Sequence, residues 1–227
     1  MIIYVIMLFI FLAIFILVSH NINNKRINTN LEIQQTEQPN NKMITLLQNK
    51  KLPSIYLYEL EIWDGFDLLI GEDYNIIKEV LDNKEALSKL NYYLKPFELS
   101  FTTKWDITFH KNNTNWEHLP SNPIKEIYYN HLIVNFSGLM MVCLFNPNMA
   151  NIKVIENSEN NNSEIKENVK DILADENKIK STKLEYIIVT VRPSNMIYIP
   201  FGWYYWIYNG INDKYCCYLN CVNHSLV

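Results

Sequence analysis

The side chains with the widest chemical reach are five histidines and four cysteines, and neither set has the spacing of a familiar centre. His110, His118 and His131 fall close together along the chain. With Glu117 or Asp106 as the acid they could form an unusual metal site, because imidazole and carboxylate suit first-row divalent ions. His110-Lys111-Asn112 has an H-x-N spacing but lacks a carboxylate. His118 adjoins Glu117, and neighbours on a strand face opposite ways. The stretch FHKNNTNWEHLPSNP reads equally well as polar loops carrying surface histidines. Cys216, Cys217 and Cys221 crowd into one short β-like segment, with Cys143 apart. On a strand Cys217 and Cys221 share a face about 13 Å apart, beyond disulfide reach, so reduced core cysteines are expected. No C-x-x-C or Cys/His array suits structural zinc, and no Ser-His-Asp or Cys-His triad can be assembled. The acid pairs Glu59-Glu61, Asp64-Asp67 and Glu72-Asp73 read as solvated turns. Spacing alone names no catalytic residue.

Whatever chemistry exists must be positioned by a chain of 227 residues, of which 48% are hydrophobic and 13% aromatic. That composition excludes wholesale disorder. A formal charge of -4 gives no basic field for a phosphate backbone, so no nucleic-acid partner is expected. With 5 glycines and neither G-x-G-x-x-G nor G-x-x-x-x-G-K-[ST], no glycine-rich phosphate loop is present. The spacing of Ile76, Ile77, Val80, Leu81, Leu87, Leu90 and Leu94 predicts an amphipathic helix over Tyr74 to Tyr93. From Pro96 onward the pattern turns to β: ELSFTTKWDITFH, then HLIVNF and LMMVCLF with Ser137-Gly138 as a hairpin signal between them. ANIKVIE, LEYIIVTV, MIYIP, WYYWIY and KYCCYLNCV continue it. Residues 156–180 interrupt the pattern as an acidic, disordered insertion, with one weak helix at Ile165 to Leu173. The fold class is mainly β: a sandwich or jelly roll with helices on its amino side.

The run Val191-Arg192-Pro193-Ser194-Asn195-Met196-Ile197-Tyr198-Ile199-Pro200-Phe201-Gly202-Trp203-Tyr204-Tyr205 resembles the carboxyl-side core of the JmjC/cupin-like family. Its pattern there is L-x-P-G-D-x-x-x-I-P-x-G-W-x-H. Upstream, His131 to Gly138 resembles the family's N-L-L-V-x-x-x-G strand and turn, and Leu144-Phe145-Asn146-Pro147 the strand end after it. Tyr215-Cys216-Cys217-Tyr218-Leu219-Asn220 stands where the closing strand would be. The resemblance spans about Phe97 to Val222. It implies a double-stranded β-helix, with Fe(II) held by two His and one carboxylate and 2-oxoglutarate as co-substrate. This sequence departs from that pattern. Tyr205 stands at the second His position. Lys125-Glu126-Ile127 stands at the H-x-D/E triplet, with Glu126 expected on the wrong side of its strand. Leu139-Met140-Met141 offers no charge for the co-substrate. The expectation is therefore a domain without metal or cofactor. Its aromatic cluster, Trp203, Tyr205 and Trp206 foremost, would line or close a ligand mouth.

Ile2 to Val18 is an unbroken apolar run without charge, close to the length that spans a bilayer. It predicts residues 1–19 as a single-pass transmembrane anchor in the lipid bilayer. Lys25 and Arg26 follow it, so the positive-inside rule puts the domain on the cytoplasmic side. Residues 20–42 are Asn/Gln-rich and read as a flexible tether, leaving 43–227 as the cupin-like domain. The reading that results is a membrane-anchored, non-catalytic binding or scaffold module for an unknown protein or small molecule. Two alternatives stand beside it: a divergent 2-oxoglutarate/Fe(II) protein hydroxylase, or a structural membrane component of a large DNA virus particle. The last is suggested by Asn-, Ile-, Lys- and Tyr-rich usage of the kind AT-rich genomes give.

Overall fold

The structure is a computed structural model that describes residues 2–24, 27–37, 46–47, 49–57, 105–128, 130–147, 168–193, 195–210 and 215–223. The expected helix over 74–93 and the strand ANIKVIE lie outside the described residues. The rest is mainly β. After helix α1 (Ile2–Asn24) come strands β1 (Gln34–Thr36), β2 (Ser54–Leu57), β3 (Trp105–Asn112), β4 (Ile124–Lys125), β5 (Asn130–Ser137) and β6 (Met140–Phe145). Two short helices follow, α2 (Val169–Leu173) and α3 (Glu176–Thr182). Then come β7 (Tyr186–Val191), β8 (Asn195–Pro200), β9 (Tyr204–Asn209) and β10 (Cys216–Asn223).

The strands form two sheets, ordered β1-β2-β8-β5-β10-β3 and β4-β9-β6-β7. Every pairing is antiparallel except β1 with β2. Counted from β3 as the first of eight, the orders are 6-3-8-1 and 2-7-4-5. That alternation between sheets is consistent with a jelly roll. One expectation changes with it. Ser137-Gly138 does not close a hairpin, because β5 and β6 pair with other strands and lie in different sheets. The turn is an arch between sheets. Gly138 is required there twice over: its φ is +72°, and a Cβ would lie 2.4 Å from the Tyr215 carbonyl oxygen.

Alternation along each strand divides the core in two. Ile133, Ile197 and Ile199 from the first sheet meet Val142, Leu144, Val189, Val191 and Tyr205 from the second, with Trp203 at one end. The outer face of the second sheet carries Cys143, Phe145, Tyr204, Trp206 and Tyr208. Val169, Ile172 and Leu184 pack on it. This corrects the expectation of a disordered insertion through residue 180. Its described part forms α2, capped by Asn168, and α3, capped by Asp175, with Val169 and Ile172 buried.

The expected tether also differs. Residues 27–37 lie against the domain: β1 adds to the first sheet, Leu31 and Ile33 pack on the core, and Asn146 donates from Nδ2 to the Thr29 carbonyl. An Asn/Gln-rich stretch with apolar residues two apart can form an edge strand, which composition conceals. In α1 the side chains of Ile3 to Val18 are exposed. Measured over the described residues, no helix is long and apolar enough to cross a membrane.

Candidate functional site

Between the two sheets opens a cavity of about 380 Å³, with His110, Tyr205, Tyr218 and Asn220 among its lining. Register explains the grouping. Tyr218 pairs with His110 and Asn220 with Thr108, so these four share one face of β3 and β10. Tyr218 also packs on the inner core, with its ring stacked on His110 at 5.3 Å between centroids. Facing them, Tyr205 comes from β9, opposite Ile124 of β4. Thr108 Oγ1 lies 2.9 Å from His110 Nε2.

Behind this wall sits a buried polar chain. His131 of β5 contacts the Glu126 carboxylate through Nδ1 and the Asn220 side-chain oxygen through Nε2. Glu126 and His131 are each 1% exposed. The other carboxylate oxygen of Glu126 accepts from the Tyr128 N–H at 2.7 Å. Its main chain is fixed as well, with the N–H donating to Trp203 O and the carbonyl accepting from Gly202 N–H. The Tyr205 ring meets His131 edge-on at 5.6 Å. Both ring nitrogens of His131 are therefore held by neighbouring side chains, which fixes the ring in place. Asn220 thus lies between His131 and the cavity that it lines.

Burial, then the Glu126 charge, pushes the Tyr205 phenol well above the ordinary tyrosine range, so it stays protonated. Burial pushes Tyr218 up to about 12. Desolvation, reinforced by His131, holds His110 below the usual imidazole value even though it is exposed at the rim. The cavity thus presents neutral donors (two phenols and an amide) with a neutral imidazole on aromatic walls.

The sequence-marked residues separate accordingly. Glu126 and Tyr205 are brought together, since β4 and β9 are neighbours and Ile124 pairs with Tyr205. The expectation that Glu126 faces the wrong way is corrected: Glu126 is buried against His131, whereas Lys125 is exposed, over the Tyr204 ring at 5.5 Å. Ile127 is exposed. Trp203 is wholly buried in the inner core, and Trp206 is 1% exposed, packed beneath the helices with Nε1 donating to Asn122 O. His118 sits in an exposed 3-10 turn, beside Asn115 and away from His131. Asp106 and Glu117 are exposed. Among the described residues, no three His, Cys, Asp or Glu side chains converge as a metal site. Thr108, Tyr218 and Asn220 were not marked, because only strand register reveals their shared face. The four cysteines are free and buried.

No protein-family model matches the chain, and no curated protein matches it. Solved structures similar to it include a dTDP sugar isomerase from Desulfovibrio desulfuricans G20, at 12% identity and a TM-score of 0.30. That match covers 56% of this chain and 63% of the other. Another is YcfD, a ribosomal oxygenase from Escherichia coli in complex with cobalt and succinic acid, at 12% identity and a TM-score of 0.32. It covers 60% of this chain and 28% of that one, so the chain spans less than two thirds of either neighbour's length. The jelly-roll reading rests on strand order and not on these likenesses.

Proposed function

We propose that the protein is a cupin-like binding module, held at a membrane by α1, that takes a small acceptor-rich polar ligand into the cavity at Tyr205 without catalysing its conversion. The observation that carries the reading is the engagement of Glu126. Its two oxygens are taken by the Tyr128 N–H and by His131, and the neighbouring position holds a protonated phenol. A carboxylate so engaged and a neutral phenol make a poor donor set for Fe(II), so these residues do not fit the metal of the family the sequence resembles. What they do offer is a fixed pattern of donors on aromatic walls, which is the make-up of a small-molecule site.

Support for the anchor comes from α1. In the sequence Ile2 to Val18 is an unbroken apolar run that carries no charge. Lys25 and Arg26 after it favour a cytoplasmic domain.

The purified chain, loaded with Fe(II) under anaerobic conditions and then supplied with oxygen and 2-oxoglutarate, tests the reading against the hydroxylase alternative. The expected result is iron far below one per chain and no succinate formed from 2-oxoglutarate. Stoichiometric iron lost in Glu126→Ala or His131→Ala would overturn it. In ligand-observed NMR with a polar-fragment mixture, hits should vanish in Asn220→Ala and Tyr205→Ala.

A further inference from the structure

Where residues 27–30 pass the turn at Lys50–Lys51 they enclose a second cavity, of about 410 Å³ and distinct from the one between the sheets. Its described lining includes Asn28, Thr29, Asn30, Asn49, Lys50 and Lys51, two lysines and no acid. The walls are tied together: Asn28 donates from Nδ2 to the Lys50 carbonyl at 2.7 Å, and its Oδ1 accepts from the Asn30 N–H at 3.0 Å.

Lys51 is the unusual member. It is 6% exposed, and no ion pair or hydrogen bond among the described residues engages its side chain. An isolated ammonium out of water is costly, and lysines that deep are ordinarily paired. Its backbone is also in the left-handed region, with φ +54°, a strained conformation for a residue with a side chain. Lys50 is exposed beside it and reaches Gln34 Oε1 at 3.3 Å. Two adjacent cations, three asparagines and a threonine around a space of this size match a doubly charged, tetrahedral acceptor. A single carboxylate would leave one charge unmatched.

We propose that this cavity binds a phosphate group, as a free anion or a phosphomonoester headgroup, with Lys51 as its principal charge partner and Lys50 closing the rim. Desolvation lowers the Lys51 pKa, the cost a bound dianion would relieve. The site is independent of the reading of the cavity at Tyr205, and neither stands or falls with the other.

The test uses the full chain in a neutral detergent, with thermal unfolding and calorimetric titration. Two probes are compared, inorganic phosphate and dihexanoyl phosphatidic acid, with sodium chloride at matched ionic strength as control. Saturable stabilisation by either probe is expected. Lys51→Met should weaken it at least tenfold, and Lys50→Met by less. Without probe, Lys51→Met should unfold at the same temperature or higher, because it removes an unmatched charge and keeps the stem. Equal affinity for both probes identifies the free anion as sufficient. Binding of the lipid alone identifies a headgroup. The proposal is overturned if neither probe saturates at millimolar concentration or if both lysine variants bind as the unaltered chain does. It is also overturned if unliganded Lys51→Met melts markedly earlier, which would reveal a structural partner for the ammonium.

Discussion

Glu126 and His131 are a buried polar pair whose worth lies in their mutual satisfaction. Each is removed from water, and each is the other's polar partner. Glu126→Ala should cost about 1–3 kcal/mol in urea unfolding, since it leaves a buried imidazole nitrogen without its partner. Glu126→Met with His131→Leu should cost much less than the sum of the single changes; additive losses would show that the two side chains act separately. His110 adds a pH dependence. Its folded-state pKa lies below the unfolded one, so between the two values the folded state binds fewer protons. Stability should therefore fall as pH drops through the ordinary imidazole range, and His110→Asn should flatten that limb. The cysteines test burial in another way. Burial pushes Cys143 and Cys221 up to about 12, so neither should react with a disulfide reagent at pH 8 until denaturant is added.

At the level of elements, strands were legible from alternation and β-branched content, and the observed β5, β6, β7, β8, β9 and β10 follow those runs closely. Their partners were not. A turn such as Ser137-Gly138 has the same local signature whether it folds a strand back beside its neighbour or carries it to the opposite sheet. The choice is made by what else each strand pairs with. Gly138→Ala distinguishes the arch from an ordinary turn. Left-handed backbone alone would cost about 1–2 kcal/mol, and the approach to the Tyr215 carbonyl adds to it. Gly202→Ala, also at positive φ, meets only the flexible end of Ile27 and should cost less. Equal losses at the two positions would count against the close packing of β10 on the arch. The candidate site follows the same logic. Tyr205 could be marked from its place in a motif, whereas Asn220, Thr108 and Tyr218 became partners only through register across β3 and β10.

For the whole molecule the decisive segment is the one that composition made look dispensable. Within residues 27–37, Gln34–Thr36 join the first sheet, and in sequence only Lys25 and Arg26 separate this segment from α1. Under the proposed anchoring, so short a connection would hold the domain close to the membrane, unlike a long flexible tether. Two truncations separate anchoring from folding. Removing residues 1–26 should release the chain into the carbonate-soluble fraction and leave its urea midpoint nearly unchanged, because nothing of β1 is lost. Removing residues 1–37 should release it as well, but at a cost of roughly 2–4 kcal/mol, since Leu31 and Ile33 leave the core and β2 becomes an edge. A shorter truncation that still pellets with membranes would mean that a surface outside α1 holds the protein there. A longer one as stable as the shorter would mean that the strap contributes nothing to the sandwich, and the polar cavity behind it would then lose a wall without consequence for the fold.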